Sequence, residues 1–445
     1  MKITFNRTLE KALVEWKSTN ERKPLILKGA RQVGKTYLMK WFGESHFPKC
    51  AYFNFDETPA LKSLFESSKD VHAIIENLSL VGQINIDRDT LIIFDEIQEC
   101  LPALTTLKYF HENMPWLSII CAGSLLGVSL GKQNSFPVGK VTFLNLYPLT
   151  FTEFLEQAST KLYNYIIKVN KLEPIPQLFF EELTNQLKKY LITGGLPASA
   201  LALLQSNDFA KSDHLLKDLL KGYEYDFAKH PITKDIAKIN LVFQSLPSQL
   251  GRENKKFVYQ LVKPGARARE YEDAIVWLEN AGLIYRVRLC TVPRLPLTAY
   301  HDLSSYKIYA FDVGILRKLS KLNPIAYEEG ERLFVEFKGA LIENYILQSL
   351  MAACNEVPHY WTSGNEAEVD FLIEIDNTII PIEVKAGQNT RSASLTQYTQ
   401  SHKPELRIRY SMKNLNIADG LLNIPLFLSD QTLQLIKIAN ASTIM

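Results

Sequence analysis

An α/β fold built on a parallel sheet is what this 445-residue sequence predicts, and three observations carry that expectation. The run Gly29-Ala30-Arg31-Gln32-Val33-Gly34-Lys35-Thr36 fits the phosphate-loop pattern G-x-x-x-x-G-K-[ST] without a gap, and it lies between an apolar strand and a helix-period stretch. Downstream, short apolar runs alternate with helical periodicity, the pattern of parallel strands joined by crossover helices on both faces. The run Leu91-Ile92-Ile93-Phe94-Asp95-Glu96 then sets two carboxylates at the carboxyl end of an apolar strand.

Taken in order, Pro24 to Leu27 reads as a short buried strand and Thr36 to Phe42 as the helix after the loop. AYFNF from Ala51 is the next strand, followed by helices through Leu80, the strand LIIFD, a helix near Leu104 to Asn113, and the strand LSIICA from Leu117. In the loop, glycines let backbone N–H groups turn onto the β- and γ-phosphates, Lys35 neutralises their oxygens, and the Thr36 hydroxyl ligates Mg²⁺. Gly29, Ala30, Arg31, Gln32, Val33, Gly34, Lys35 and Thr36 are therefore the expected ATP-binding run. Asp95 emerges where it can hold the Mg²⁺ water shell beside Thr36, and Glu96 is placed to polarise a water for attack on the γ-phosphate. The same two acids could simply cap the helix that follows. Ser124, at the end of LSIICAG, is expected either to sense the γ-phosphate or attacking water, or to cap the next helix. Lys132 and Lys140 follow in a glycine-containing loop, where they read as solvated lysines or as phosphate contacts.

Bulk composition limits the alternatives. The chain is 46% apolar and 22% charged, with a formal net charge of +2, so it has the composition of a globular protein and neither demands nor excludes nucleic acid. Cys50, Cys100, Cys121, Cys290 and Cys354 are scattered and odd in number, as reduced thiols would be. The start MKITFNRTLEKALVEW has no uninterrupted apolar segment, and the most apolar window, from Leu117, is too short and broken to span a bilayer. A cytoplasmic protein without a membrane partner is expected.

From Phe151 to about Leu220 the periodicity is helical, interrupted by Pro174, Pro176 and the breaker Gly194-Gly195-Leu196-Pro197. Farther on, Ala274, Trp277, Leu278 and Ala281 keep helix spacing and Gly282 ends the helix before the strand LIYRVRL, a helix, turn, helix, strand outline of winged-helix type. Arg252, Lys255, Lys256, Lys263, Arg267 and Arg269 stand against Glu253 alone; the patch is either a solvated face or a surface for DNA phosphates.

The second chemical signal is EVDFLIEI from Glu368, then Asp376-Asn377, then TIIPIEVK ending at Lys385. With Asp376-Asn377 as a two-residue turn, Ile375 pairs with Thr378, and counting outward sets Asp370 opposite Glu383 and Glu368 opposite Lys385. Alternate residues share a face, so two carboxylates and a lysine converge on one side. Opposed carboxylates repel unless a divalent cation bridges them; otherwise the acids and lysine are exposed ion pairs.

These residues resemble a family, the prokaryotic AAA-type ATPases fused to a C-terminal half of unknown function. The likeness rests on GARQVGKT, LIIFDEIQE with Gln98, the CAGS segment, LYPLTFTEFL from Leu146 and GGLP from Gly194, and it runs across nearly the whole chain. It implies an AAA-type P-loop domain at 1–148, a helical lid at 149–220 and a winged-helix-like segment at 221–300, with the GGLP turn near the nucleotide, although the same residues equally make a simple interhelical turn. Where the family shows an arginine before the PLTF-like stretch this chain has Lys140, which cannot make a planar bidentate contact. The hairpin resembles the PD-(D/E)xK nuclease-like core, implying a C-terminal α/β restriction-endonuclease-like domain at 301–445. There Asp370, Glu383 and the helix-borne Glu343 would hold Mg²⁺, and Lys385 would position or activate the hydrolytic water. Gln397 is a weaker match to a polar residue of such sites. The expected protein is an ATP-binding, ATP-hydrolysing switch that controls this nuclease-like, DNA-binding or DNA-cleaving part. The alternative is a signalling or scaffold protein whose C-terminal half binds a partner and cuts nothing. No trans arginine finger is identifiable, so assembly is left open.

Overall fold

The computed structural model describes residues 4–123, 137–228, 233–324, 332–364, 367–387 and 393–443. Two compact units emerge: Asn6–Tyr147 with Asn280–Gly282, and Met1–Phe5 with Pro148–Glu279 and Leu283–Met445.

The first unit holds strands β1 (Leu25–Lys28), β2 (Lys49–Asn54), β3 (Thr90–Asp95), β4 (Ser118–Ala122) and β5 (Thr142–Asn145). They form one sheet in the order β2-β3-β4-β1-β5, parallel throughout. β3 is buried along its whole length, as a central strand covered on both faces must be. Ile92 and Phe94 pack into a cluster with Phe53, Phe65 and Phe110 from β2 and the helices Leu61–Ser67 and Leu101–Asn113. Leu91 points to the other face, where Gly43 of helix Lys35–His46 comes so near that an added Cβ would lie 3.3 Å from its Cδ2. The helix Val71–Gly82 starts from Asp70, whose side chain accepts the His72 N–H.

The second unit begins with helices at Phe151–Ala158, Thr160–Ile166, Gln177–Thr193, Pro197–Ser206 and Phe209–Phe227. Thr150 and Glu153 make a reciprocal capping box at the first of them. The breaks fall where the sequence placed them: one helix starts after Pro176, and Gly194-Gly195 separates it from the next. The Gly195 N–H donates to the Asp312 carboxylate at 2.6 Å, so this turn is stitched to the helix Val313–Leu319 that Asp312 caps. Burial pushes the Asp312 carboxyl up to about 6.

After the helices Thr233–Leu250 and Ala268–Asn280 come β6 (Ile284–Cys290), β7 (His301–Ala310), β8 (His359–Thr362), β9 (Glu368–Ile375), β10 (Thr378–Val384), β11 (Arg407–Ser411), β12 (Asn416–Ala418) and β13 (Leu421–Pro425). All eight join one mixed sheet in the order β12-β13-β11-β10-β9-β8-β6-β7. The division expected at 300/301 falls between β6 and β7, which pair within this sheet. β6 pairs antiparallel with β7 and parallel with β8, because a buried strand must satisfy the backbone groups of both its edges. Within this sheet the order helix Arg332–Cys354, β8, β9, β10, helix Ala393–His402, β11 has β8, β9 and β10 antiparallel and β11 parallel to β10.

Candidate functional site

The phosphate-loop run occupies the β1-to-helix turn. Gly29 has φ +152°, and a Cβ there would lie 2.3 Å from the Leu146 carbonyl oxygen, so only glycine fits. Gln32 and Gly34 also take positive φ, 67° and 98°, which curls the loop before helix Lys35–His46. Lys35 Nζ donates to the Gly29 and Ala30 carbonyls at 2.8 and 2.7 Å. Burial pushes this ammonium down to about 8, although Glu96 and Asp95 pull the other way and Arg31 adds to the burial effect.

The two acids of β3 lie beside it. The Thr36 hydroxyl donates to Asp95 Oδ2 at 2.7 Å, and the Tyr52 hydroxyl donates to the same oxygen at 3.0 Å. Asp95 Oδ1 accepts the Glu96 N–H. Glu96 sits just past the strand at φ +49°, and its carboxylate accepts from the Gln98 amide. Hard oxygens converging at Thr36 and Asp95 suit Mg²⁺, which is commonly held by one or two protein oxygens plus phosphate and water. Ser124 and Lys132 lie outside the described residues. Lys140 ion-pairs with Glu112 at 3.1 Å. Sequence reading missed Tyr52, which only the β2–β3 pairing brings to Asp95. It also missed Arg7, whose buried guanidinium donates to the Val33 carbonyl in the loop and to the Tyr147 carbonyl. A lone arginine before the first strand carries no signal of that role.

The second constellation is built on the β9–β10 hairpin. Asp376 and Asn377 both have positive φ, 48° and 59°, as a two-residue turn matching strand twist requires. Ile375 pairs with Thr378, and the ladder stays in register to Phe371 and Ile382. The paired ladder ends there. The Val384 N–H donates to Asp370 Oδ2 at 2.8 Å, and the Lys385 N–H donates to the Tyr410 carbonyl of β11. The Lys385 ammonium pairs with Glu383, while the Glu368 carboxylate takes Lys307.

Glu343, on the helix Arg332–Cys354, joins this group and is buried, as is Glu383. Burial, with Glu343 and Glu383 nearby, pushes the Asp370 carboxyl up to about 7. Burial opposes the charge on Glu343 too, but Lys255 and Lys307 hold its carboxyl below the usual value. One Glu343 oxygen accepts from the Tyr309 hydroxyl and has the Lys307 ammonium 3.8 Å away; the other takes Lys255. Lys307 is fully buried. Three oxygen-donor acids in one buried cluster are chemically suited to a divalent cation, yet among the described residues no three His, Cys, Asp or Glu side chains are disposed to hold one together. Gln397 lies on the helix Ala393–His402, partly buried. The sequence reading missed Lys255, Lys307 and Tyr309 as members of this site, since each reaches Glu343 across more than thirty residues of chain.

Among the described residues the cysteines are free, and no helix is long and apolar enough to cross a membrane.

Three family models match parts of the chain. Residues 21–155 match one described as an AAA domain, and residues 184–326 and 338–428 match two described as domains of unknown function (DUF8612 and DUF4143). No curated protein matches. Among solved structures, the chain is similar to the Walker-type ATPase paby2304 of Pyrococcus abyssi, at 15% identity over 71% of this chain and 96% of that one, with a TM-score of 0.45. It is also similar to the Aeropyrum pernix ORC2 protein in its ADP form, at 12% identity over 62% and 85% of the two chains, with a TM-score of 0.32. The segment that matches the AAA-domain model is the one whose parallel sheet sets the Thr36 hydroxyl against Asp95.

Proposed function

We propose that this chain is an ATP-hydrolysing switch that controls a nuclease-like carboxylate site in its C-terminal part. The observation that carries the ATP reading is the 2.7 Å bond between Thr36 and Asp95, with Glu96 next in sequence and Lys35 buried beside them. Lys35 would exchange the Gly29 and Ala30 carbonyls for β- and γ-phosphate oxygens. Thr36 and Asp95 would hold Mg²⁺, which supplies neutralisation of developing phosphate charge. Glu96, oriented by Gln98, would accept the proton of the attacking water. Ser124 would sense the γ-phosphate, and the helices of 149–220 would act as a lid.

Phosphate release from ATP, with no acceptor other than water, tests this. General-base loss predicts that Glu96→Gln lowers the rate by about 10²–10⁴-fold while ATP still binds. Lys35→Ala should abolish binding. Undiminished turnover in both variants would sink the reading.

For the C-terminal part, Glu343, Asp370 and Glu383 would hold Mg²⁺ and Lys385 would position the hydrolytic water at a DNA phosphodiester. The burial of Glu343 and Glu383 and the hairpin register up to Phe371 and Ile382 support this. The exposed Arg252, Lys256, Lys263, Arg267 and Arg269 would supply phosphate contacts. A second reading, a partner-binding half that cuts nothing, is favoured by the ion pairs of Lys255 and Lys307 to Glu343. Labelled DNA with Mg²⁺ or Mn²⁺ and ATP separates the two: metal-dependent cleavage lost in Asp370→Ala supports the nuclease, and no cleavage supports the partner-binding half.

A further inference from the structure

In a trans peptide unit the C=O and the N–H point in opposite directions, so a group that holds one residue's carbonyl also aims the N–H of the next. Arg7 holds such a carbonyl in the phosphate loop. Its guanidinium is buried, and it donates from Nη1 to the Val33 carbonyl at 2.8 Å and from Nη2 to the Tyr147 carbonyl at 2.6 Å. The N–H that shares a peptide unit with the Val33 carbonyl is that of Gly34, the last loop residue before helix Lys35–His46.

This peptide unit is the one that needs holding. Turning it over changes chiefly ψ of Val33 and φ of Gly34, and glycine accepts φ of either sign, so Gly34 at φ +98° offers little resistance. Turned over, the unit would offer a bound phosphate an acceptor in place of a donor. Arg7 is well anchored for opposing that change. The Glu10 N–H donates to the Arg7 carbonyl at 2.9 Å, and the Leu146 N–H, next to Tyr147, donates to the Lys28 carbonyl at the end of β1 at 2.7 Å. The Leu146 carbonyl oxygen packs against Gly29, at the other end of the loop. All of these residues belong to the first unit.

We propose that Arg7 is a positioning residue for nucleotide binding: by holding the Val33 carbonyl it keeps the Gly34 N–H turned toward the phosphates. The role rests on the ATP reading given above and deepens it. The two cations of the loop then divide the work. Lys35 gives up the Gly29 and Ala30 carbonyls for phosphate oxygens, whereas Arg7 keeps its two carbonyls throughout and acts through the peptide unit.

Equilibrium binding of ATP to the full chain and steady-state phosphate release test this in Arg7→Met, with urea midpoints measured alongside. A donor used equally in the bound and transition states supplies uniform binding, so its loss raises Kd and KM together and leaves kcat alone. Arg7→Met should weaken ATP binding and raise KM at least about tenfold, with kcat within about twofold of the parent. Should Arg7→Met not fold, Arg7→Lys, which keeps the charge but lacks the planar fork, is expected to lose at least about threefold in the same two quantities. ATP affinity equal to the parent's in a folded variant overturns the positioning role. So does a fall in kcat with KM unchanged, the mark of fewer folded molecules. Either result leaves the ATP reading standing as long as the parent binds ATP; absence of ATP binding in the parent overturns both.

Discussion

Lys35 shows most directly how burial and function are linked at one side chain. Its ammonium is nearly enclosed and pushed down to about 8 from an ordinary 10.5, burial outweighing the attraction of Glu96 and Asp95. The folded value lies below the unfolded one, so between those two values the folded chain binds fewer protons. The penalty for the buried charge is therefore full below pH 8 and fades as pH rises toward 10.5. Triphosphate oxygens restore the preference for the charged form. ATP binding is accordingly expected to take up close to one proton at about pH 9 and almost none at about pH 6.5, measured by calorimetry in buffers of differing ionisation enthalpy. Proton uptake that is the same at both values would contradict the placement of Lys35 on the phosphates. Asp370 presents the opposite case, an acid pushed up to about 7 by burial and by Glu343, which is why a cluster of this kind calls for cationic neighbours.

At the scale of elements, the Gly194-Gly195 turn shows how tightly two distant segments are joined. Gly194 has φ +69° and ψ −171°, a conformation open essentially to glycine alone, and a Cβ there would lie 2.2 Å from Asp312 Oδ1 and 2.7 Å from the Gly314 nitrogen. Gly194→Ala is expected to lower the stability of its unit by about 3 kcal/mol, backbone strain and overpacking together. A urea midpoint unchanged by the substitution would count against the Asp312 clamp. The same segment marks the limit of what could be read ahead. Its helix breaks were legible because proline and glycine act locally, and the hairpin register was legible because a two-residue turn at Asp376-Asn377 leaves one pairing. The phosphate loop, Asp95 and Glu96 were legible for the same reason, each being set by neighbours along the chain. The Asp312 clamp, the reach of Lys255 and Lys307 to Glu343, and the union of β6 and β7 with β8 depend on contacts between segments far apart in sequence, for which local pattern has no term.

For the whole molecule, two carboxylate sites share one chain: Asp95 and Glu96 at the end of a parallel strand, and Glu343, Asp370 and Glu383 around a hairpin. The central claim is that the first governs the second. Coupling between sites is reciprocal and commonly shifts affinity by about 5–150-fold, which sets the size of effect to look for. The decisive measurement is binding and cleavage of labelled DNA with Mg²⁺ or Mn²⁺, with and without saturating ATP, in the parent chain and in Lys35→Ala. The account predicts that ATP changes DNA binding or cleavage at least about fivefold in the parent and leaves Lys35→Ala unaffected. Identical DNA binding and cleavage with and without ATP would contradict it.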